Sequence, residues 1–565
     1  MPQPTDIVVD YELANANVLD VYTQTFCQTT LWINNGFIIG DRTGLKFRAK
    51  KRFDLTGQTI VPGFIDAHMH IESSLLTPSQ LSPLLISHGV TSAVADPHEL
   101  ANVAGQAGVS YLIDDAKQAN VDYFFMLPSA VPCDPFEHAG AKLTAADLAP
   151  LYHEPMVHGL AEVMDFPALV HQDPDLMAKI ADAHRRKLPV DGHLAGLSGS
   201  QLLAYQDAHI RSDHEATTPQ ELVERLRAGF YVYLREGTVE RDLLNLLPAV
   251  NAQNANRIAF CTDDKTVTDL VQEGSIDQNI RLAIANGLTP ELAYTMASLH
   301  AAEGEQLADR GALTTGMVAD LVILQDVEHV TINRVMKAGQ WQSVDPKPIT
   351  ARPYTLTHLN HRCQIEDLAL KVPERLARVI GVQPNHITTS ALIKQVATNC
   401  GEFCWDDQLD VLKMAVVERH HHTGHVGVGL VSGFQLRRGA FASSVGHDSH
   451  NLIVAGTSDS AMMQAISAIT ELDGGLVVVD GNLITTLPLP VGGLMSSLPA
   501  QQVNDQLLAL HQAFRQIAPT VNFDPFITLS FLSLPVIPTL KLTDQGLYDF
   551  TKGAFVPVAI TPTQK

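Results

Sequence analysis

The chain has few basic residues, and this shortage excludes some classes of binding partner. Its 565 residues include 38 Lys and Arg against 61 Asp and Glu, a formal net charge of −23. Such a chain repels duplex nucleic acid and anionic membranes, and no stripe of lysine and arginine offsets the repulsion. We therefore expect neither nucleic acid nor a membrane as a partner, whereas an uncharged small molecule is unaffected.

Cysteine is scarce too, and long apolar runs are missing. The six cysteines are spread thinly, which argues against a disulfide framework and is typical of reduced thiols in the cytoplasm. No window approaches the roughly 20 apolar residues of a membrane-spanning helix. The N-terminal stretch carries acids but no apolar core of a secretion signal. We expect a cytoplasmic protein.

What the sequence does contain is a short apolar run that ends in two histidines. Residues Thr59 to Ile65 predict a buried strand, and Asp66, His68 and His70 follow it. Residues two apart on an extended chain point the same way, so both imidazoles project from the carboxyl end of this strand. A His-x-His pair also fits a polar loop, so a metal site requires further ligands at later strand ends.

Alternating strand-like and helix-like segments predict βα units around a parallel sheet. The strand-like segments are Thr59–Ile65, Val90–Ala95, Val121–Leu127, Val157–Val163, Pro189–Asp191, His209–Ser212, Phe230–Leu234 and Arg257–Cys261. Eight such units are what a (β/α)8 TIM-like barrel needs, and this fold carries its chemistry at the carboxyl ends of its strands.

The chain is too long for one core, and its flanks predict further domains in an α/β protein. Short β-like runs in residues 1–58 return in 308–345, so we expect these stretches to pair as a small β-subdomain beside a barrel at 59–307. Pro346 to Pro348 mark a linker. Residues 370–565 predict a C-terminal α/β domain that covers the barrel mouth as a lid or wall.

Within the C-terminal domain the local pattern predicts helices at Glu374–Val379 and Thr389–Thr398, followed by apolar strands. The segment from His447 to Asn451 contains two histidines that a metal could bind. Without ligands from neighbouring strand ends, we interpret it as a hydrogen-bonded loop.

Most of the predicted barrel strands end in His, Asp or Glu. These residues are His68, His70, Asp96, His98, Glu99, Glu162, His193, Asp213, His214, Glu215, Glu236, Asp263 and Asp264. A stable barrel does not require ionisable residues at the carboxyl ends of its strands, so their concentration there predicts a metal site. Imidazoles with carboxylates suit zinc, manganese, iron or cobalt, and this set is enough for two ions that share a carboxylate and a hydroxide.

A site of this kind predicts hydrolysis. Water bound to a metal can ionise with a pKa of about 7, so a hydroxide nucleophile is available at neutral pH. Asp263, at the last strand, would take the proton of that nucleophile and pass it to the leaving group.

These residues resemble the amidohydrolase superfamily, in residues 62–70 together with His193, His214 and Asp263. More narrowly, the chain resembles the adenine deaminase family. The motifs that carry this resemblance are residues 70–74, 96–99, 159–162, 192–193, 235–237 and 261–264 in the barrel, and 442–445, 447–451, 487–490 and 532–538 beyond it. The resemblance covers nearly the whole chain.

The resemblance implies hydrolysis of the purine base adenine to hypoxanthine and ammonia by a metal-activated hydroxide that attacks C6. It implies two ions, usually Mn2+ or Fe2+, with Zn2+ as an alternative, and we also expect a homo-oligomer. The residues that it places in or beside the metal shell are His68, His70, Glu162, His193, His214 and Asp263.

The resemblance leaves several roles open. Glu162 either bridges the ions or protonates a ring nitrogen of the purine. His98 is expected to assist near the hydroxide or the departing amine. Arg235, Glu236 and Gly237 are expected to bind the purine edge, with a surface salt bridge as the alternative.

Two rival hypotheses remain. The first is another enzyme of the same superfamily, acting on a cyclic amide or an N-acetyl sugar. Several such enzymes use a carboxylated lysine after the fourth strand, where this chain has Glu162. The second is a catalytically idle metal-binding or regulatory protein, which would have no need of Asp263.

Overall fold

The computed structural model describes residues 6–40, 46–343, 349, 352–356 and 359–561. The predicted linker signal at Pro346 to Pro348 lies outside the described residues. The chain begins with five strands, β1 Asp6–Asp20, β2 Thr25–Asn34, β3 Phe37–Ile39, β4 Lys46–Asp54 and β5 Thr59–Pro62.

Eight parallel strands follow and form the barrel. They are β6 Phe64–Met69, β7 Val90–Ala95, β8 Asp122–Leu127, β9 Val157–Val163, β10 Val190–Gly192, β11 Ser212–Asp213, β12 Tyr231–Arg235 and β13 Ile258–Cys261. Strands β6 to β10 make one sheet and β11 to β13 another. The sheets meet at both edges, because Asp263 N donates to His68 O at 3.0 Å and Arg211 N to Val190 O at 3.3 Å. The predicted barrel is confirmed.

Helices surround these strands. They are α1 Pro78–Ser87, α2 His98–Ala116, α3 Ala145–Leu148, α4 Phe166–Val170, α5 Pro174–Arg185, α6 Leu202–Asp207, α7 Pro219–Arg227, α8 Leu243–Leu246, α9 Val267–Gln272, α10 Ile276–Ala285, α11 Pro290–Thr295 and α12 Ala301–Gly304. Proline at the first turn and a threonine cap begin α7, where Thr218 accepts from Glu221 N. The apolar faces of the helices complete the barrel core.

The chain then returns to the flanking sheet with β14 Leu321–Asp326, β15 Thr331–Lys337 and β16 Gln340–Trp341. In this sheet β14 pairs with β5, which in turn pairs with β1. The two ends of the first 340 or so residues thus form one β-structure around a separate small core.

Two predicted barrel strands are wrong in extent. The predicted strand His209–Ser212 coincides with β11 Ser212–Asp213 at Ser212 alone. Residues Thr59 to Ile65 are not continuous, because Gly63 separates β5 of the flanking sheet from β6 of the barrel. A Cβ atom on Gly63 would lie 2.3 Å from Thr91 Oγ1 of β7, so a residue without a side chain is needed beside β7 where the chain passes from the flanking sheet to the barrel. The division of the chain into domains at these boundaries stays a prediction.

The C-terminal part is built on an eight-stranded sheet in the order β18-β17-β22-β21-β24-β23-β25-β26. Its strands and those near it are β17 Leu376–Val382, β18 Thr389–Gln395, β19 Thr398–Asn399, β20 Glu402–Phe403, β21 Leu412–Val417, β22 Val426–Ser432, β23 Ala440–Ser443, β24 Leu452–Gly456, β25 Gly475–Asp480, β26 Leu483–Pro488, β27 Leu540–Thr543, β28 Gly546–Asp549 and β29 Ala554–Phe555. Helices α13 Asp459–Leu472, α14 Ala500–Ile517 and α15 Pro525–Ser530 complete this part.

Two predicted helices in this part are wrong. The stretches Glu374–Val379 and Thr389–Thr398 contribute instead to the antiparallel pair β17 and β18, in register from Leu376 with Gln395 to Val382 with Thr389. Pairing with neighbouring strands outweighs the weak helix preference of their residues. Among the residues with coordinates that can be described, no helix combines the length and apolarity needed to cross a bilayer.

Candidate active site

The six predicted metal ligands converge at the carboxyl end of the barrel. His68 and His70 lie at the end of β6, with their Nε2 atoms 3.2 Å apart. Asp263 follows β13, and its Oδ1 lies 3.3 Å from His70 Nε2 and 3.8 Å from His68 Nε2. The first and last strands are adjacent in a closed barrel, which brings these residues together across nearly 200 positions of sequence.

Glu162, at the end of β9, is the centre of this cluster. Its Oε2 lies 2.7 Å from His193 Nδ1 and 3.2 Å from His214 Nε2. Its Oε1 lies 3.5 Å from His70 Nε2 and 3.7 Å from His98 Nδ1. The two oxygens of one carboxylate therefore face two separate groups of imidazoles.

The cluster is buried, and its charges are strongly coupled. Burial, with the nearby His214 and His70, lowers the pKa of His68 well below its usual range. Burial alone would raise the pKa of Asp263, but the His70 hydrogen bond and the His214 and Arg235 charges hold it well below its usual range. Asp263 is therefore a carboxylate at neutral pH, in a left-handed backbone conformation with φ of 56°.

These residues fit divalent cations. Three overlapping groups of side chains each have donor atoms that all lie within 4.8 Å of one another. The groups are His68, His70 and Asp263; His68, Glu162 and His214; and His70, Asp96, His98 and Glu162. Imidazole nitrogen and carboxylate oxygen are the ligand atoms that zinc, manganese and iron prefer. The convergence of so many buried donors around shared members matches a metal centre better than a network of protein hydrogen bonds.

His98 lies at the edge of this cluster, where it contacts Asp96 and Glu99 of the same sequence motif. Its Nδ1 lies 2.9 Å from Asp96 Oδ2 and its Nε2 lies 3.3 Å from Glu99 Oε1. Burial lowers the pKa of His98, but the Asp96 and Glu99 carboxylates outweigh it and raise the pKa well above its usual range. His98 thus carries a proton close to Glu162.

The C-terminal loop that contains two histidines reaches this edge. His447 Nδ1 donates to Glu99 Oε1 at 2.5 Å, and His450 Nε2 contacts Glu99 Oε2. His450 Nδ1 accepts from Gly446 N at 3.2 Å, which leaves the ring proton on Nε2, facing Glu99. The loop is hydrogen-bonded to the barrel, in line with the prediction, and it joins the two parts of the chain.

The three predicted substrate-binding residues have different surroundings. Arg235 contacts Glu215, and it donates to Asp242 Oδ2 at 2.8 Å and to Asp263 Oδ2 at 3.0 Å. Arg235 lines the cavity above the cluster, whereas Glu236 and Gly237 are not among the described residues that line it. A Cβ on Gly237 would lie 2.7 Å from Asp264 O, so this glycine allows two loops to pack closely. Roles on a purine edge stay predictions.

The cavity over the cluster has one wall from the barrel and one from the C-terminal part. The second wall consists of Ile387, Phe531, Leu534, Val536 and Ile537, with His447 and Asp448 at its margin. The His447 ring stacks on that of Phe531, with centroids 4.4 Å apart and planes at 7°. The predicted position of a lid or wall over the barrel mouth matches this arrangement.

Sequence reasoning gave no individual role to Glu215 or Asp448, and it did not single out Glu240 at all. Glu215 was visible in the Asp213-His214-Glu215 motif, and it lies 3.6 Å from both His193 Nδ1 and His214 Nε2. Glu240 and Asp448 also line the cavity, but no strand-end pattern marks Glu240. Their carboxyl groups become recognisable only when the packing shows that they are buried.

Comparisons with known proteins identify the family from the sequence. Residues 59–342 match the Amidohydrolase family, and residues 386–554 match the Adenine deaminase C-terminal domain. An adenine deaminase of Lactiplantibacillus plantarum is 52% identical over 99% of each chain, and one of Leuconostoc mesenteroides is 48% identical over 98% of this chain and 99% of that protein. A solved adenine deaminase structure aligns with a TM-score of 0.45 and 16% identity, over 59% of this chain and 99% of that chain. The family models and the two sequence relatives show that the chain belongs to the adenine deaminase family of the amidohydrolases.

Proposed function

We infer that this chain hydrolyses adenine to hypoxanthine and ammonia. The observation that carries this inference is the set of six histidine and carboxylate side chains that meet at the barrel mouth in a chain about half identical to adenine deaminases along its length. The oxygen of water bonds to C6, and the bond from C6 to the exocyclic nitrogen breaks. One proton of the water leaves with that nitrogen as ammonia, and the other remains on N1 of hypoxanthine.

Two divalent ions fit the donor set. We propose Mn2+ as the ion, with Fe2+ or Zn2+ as alternatives, held by His68, His70, Glu162, His193, His214 and Asp263. When bound, such ions act as Lewis acids that lower the pKa of water to about 7.

Asp263 is the group best placed to move the proton of the nucleophile. Its low pKa keeps it ionised, and Arg235 fixes one oxygen at 3.0 Å while the other faces His70. A carboxylate held in this way accepts a proton as C6 is attacked and delivers it to the departing amine. His98, whose Nδ1 lies 3.7 Å from Glu162 Oε1, is proposed to assist this transfer.

Glu162 has two possible roles. Contacts from both oxygens to imidazoles support a bridge between the two ions. The short contact from His193 Nδ1 to Glu162 Oε2 supports delivery of a proton to the purine N1. Both roles need a carboxylate between the imidazoles, and we propose the bridge as the first.

The C-terminal wall completes the site. Its apolar side chains would exclude water from a bound base, so that the charges beneath it act in a medium of low dielectric constant. A cytoplasmic location and a homo-oligomer stay our predictions, and light scattering on the purified protein measures the second.

The test is a substrate comparison on metal-free and Mn2+-loaded protein. The loaded protein should release ammonia from adenine with loss of adenine absorbance and formation of hypoxanthine, and the metal-free protein should not. A cyclic amide such as hydantoin and an N-acetyl sugar serve as controls. Turnover of either control without turnover of adenine would overturn the proposal in favour of another amidohydrolase activity.

A further inference from the structure

Glu240 has a buried carboxyl group whose two oxygens lack partners. The residue is only 6% exposed, and within the described part of the chain neither Oε1 nor Oε2 has a hydrogen-bond partner. A buried carboxyl group without a partner costs free energy, so such a group in a native fold indicates a missing ligand or a functional role.

The position of Glu240 points to the substrate. It lines the catalytic cavity together with Asp263 and Arg235, and it also lines a wide cleft between the barrel and the C-terminal part. The described residues that line the cleft include none of the six predicted metal ligands, so Glu240 lies on the side of the cavity that adjoins the cleft, which is its outer end.

The backbone holds Glu240 in place. Gly237 N donates to Glu240 O at 3.0 Å, and Glu236 and Arg241 form a β-bridge on either side. The neighbouring carboxylates Glu215 and Asp242 both contact Arg235. Because Glu215 and Asp242 already bind the guanidinium of Arg235, both carboxyl oxygens of Glu240 remain without a hydrogen-bond partner among the described residues.

We propose that Glu240 binds the N3 and N9 edge of adenine and thereby selects the free base. This proposal rests on the proposed deamination, which requires C6 to face the metal-ligand cluster. N3 is the ring atom opposite C6, and N9 is its neighbour across C4, so this edge must face the outer end of the cavity. A carboxyl group accepts a hydrogen bond from N9–H, and in its protonated form it also donates one to N3.

The electrostatics are compatible with that pairing. Burial raises the pKa of Glu240 well above its usual range, although Arg235 opposes the shift. An adenine substituted at N9 has no proton to donate there, and its substituent would approach the carboxyl group directly. A site built to hydrogen-bond a substrate group discriminates strongly against analogues without it.

The experiment measures kcat/KM for adenine and for 9-methyladenine, which lacks N9–H, in the Mn2+-loaded protein. Wild type should prefer adenine by about 100-fold or more. Glu240→Ala should lose about 10- to 100-fold on adenine but not on 9-methyladenine, so the preference falls at least tenfold. Glu240→Gln, whose amide keeps one acceptor and one donor, should retain more of the preference than the alanine variant.

Glu305→Gln is the matched control for the glutamine variant. Glu305 is also fully buried with one unpartnered carboxylate oxygen, but it is not among the described residues that line the cavity. Its preference ratio should equal that of wild type.

A Glu240→Ala variant that loses the same factor on both substrates would overturn the proposal, because Glu240 would then act on the fold. If that variant does not fold, inhibition of wild type by hypoxanthine and by 9-methylhypoxanthine decides, and equal inhibition constants contradict the proposal. Absence of adenine turnover in wild type would instead refute the proposed function, so the two failures are distinguishable.

Discussion

The two walls of the catalytic cavity have opposite character. On the barrel wall nearly every side chain is ionisable and contacts another charged group, as in the contacts of Glu162 with His193 and of Arg235 with Asp263. On the C-terminal wall the lining is mainly apolar, from Ile387 to Phe531 and Ile537. One wall supplies fixed charges and the other supplies shape.

This difference suggests that the barrel stabilises the transition state and that the C-terminal part holds the base and excludes water. Charges fixed before the substrate arrives need no reorganisation when charge develops in the transition state. An apolar wall adds no charge of its own, but it excludes water and strengthens the charges opposite it. Substitutions of the charged residues beside the predicted metal ligands should therefore lower kcat, whereas substitutions on the C-terminal wall should raise KM.

The largest effect is expected from Asp263→Asn. The amide keeps the shape of the side chain but cannot accept the proton, so kcat for adenine should fall by about 10²- to 10⁴-fold, with metal content largely retained. Steady-state kinetics together with metal analysis of the same sample measure both quantities. Unchanged kcat would remove Asp263 from the proton transfer.

A smaller effect is expected from Phe531→Ala on the opposite wall. Phe531 is 4% exposed, and its loss removes apolar contact with the base, so KM for adenine should rise about tenfold while kcat changes little. Phe37→Ala, on the exposed face of the flanking sheet, is the matched control and should leave both constants unchanged. A fall in kcat at constant KM would contradict the division of labour between the walls.

The smallest effect concerns the support of the apolar wall. Lys541 is fully buried, and its Nζ donates to Ile387 O at 2.7 Å and to Phe531 O at 2.8 Å. Burial lowers the pKa of Lys541 to about 7, so its amine can make both hydrogen bonds in the neutral form. Lys541→Met leaves these two carbonyl oxygens without that donor and should lower the apparent Tm by a few degrees.

The pH dependence of that effect follows from the lowered pKa. The unfolded chain binds a proton at Lys541 up to about pH 10.5 and the folded chain only up to about pH 7, so between these values the wild-type free energy of unfolding rises with pH. The Tm difference between wild type and Lys541→Met should therefore be larger at pH 9 than at pH 7. Thermal unfolding at both pH values measures it, and a smaller difference at pH 9 would contradict a buried neutral amine.

The sequence predicts the barrel wall better than the C-terminal wall. Strand periodicity is local, and a barrel places all strand ends at one mouth, so His68, His193 and Asp263 can be assigned to one site before any coordinates exist. Even there the run from Thr59 to Ile65 hides a change of sheet at Gly63, because the need for a glycine arises from Thr91 on another strand.

The C-terminal wall depends on contacts that the sequence does not display. The stretch from Glu374 to Val379 has residues that favour a helix, and only its partners in β18 and β22 make it a strand. No strand-end pattern marks Glu240 in the sequence, and only the packing shows that it lines the catalytic cavity. In the sequence Lys541 looks like a surface lysine, and only the fold shows that it is buried and that its pKa is lowered. Each of these features is a property of packing rather than of a local pattern.

A crystal structure of Asp263→Asn, loaded with Mn2+ and soaked with adenine, tests the central claim most directly. Two manganese peaks are expected in anomalous maps among His68, His70, Glu162, His193 and His214. Adenine is expected with C6 toward those peaks, its ring against Phe531 and its N3 and N9 edge at Glu240. Manganese outside this cluster, or adenine bound with C6 turned away from it, would contradict the account.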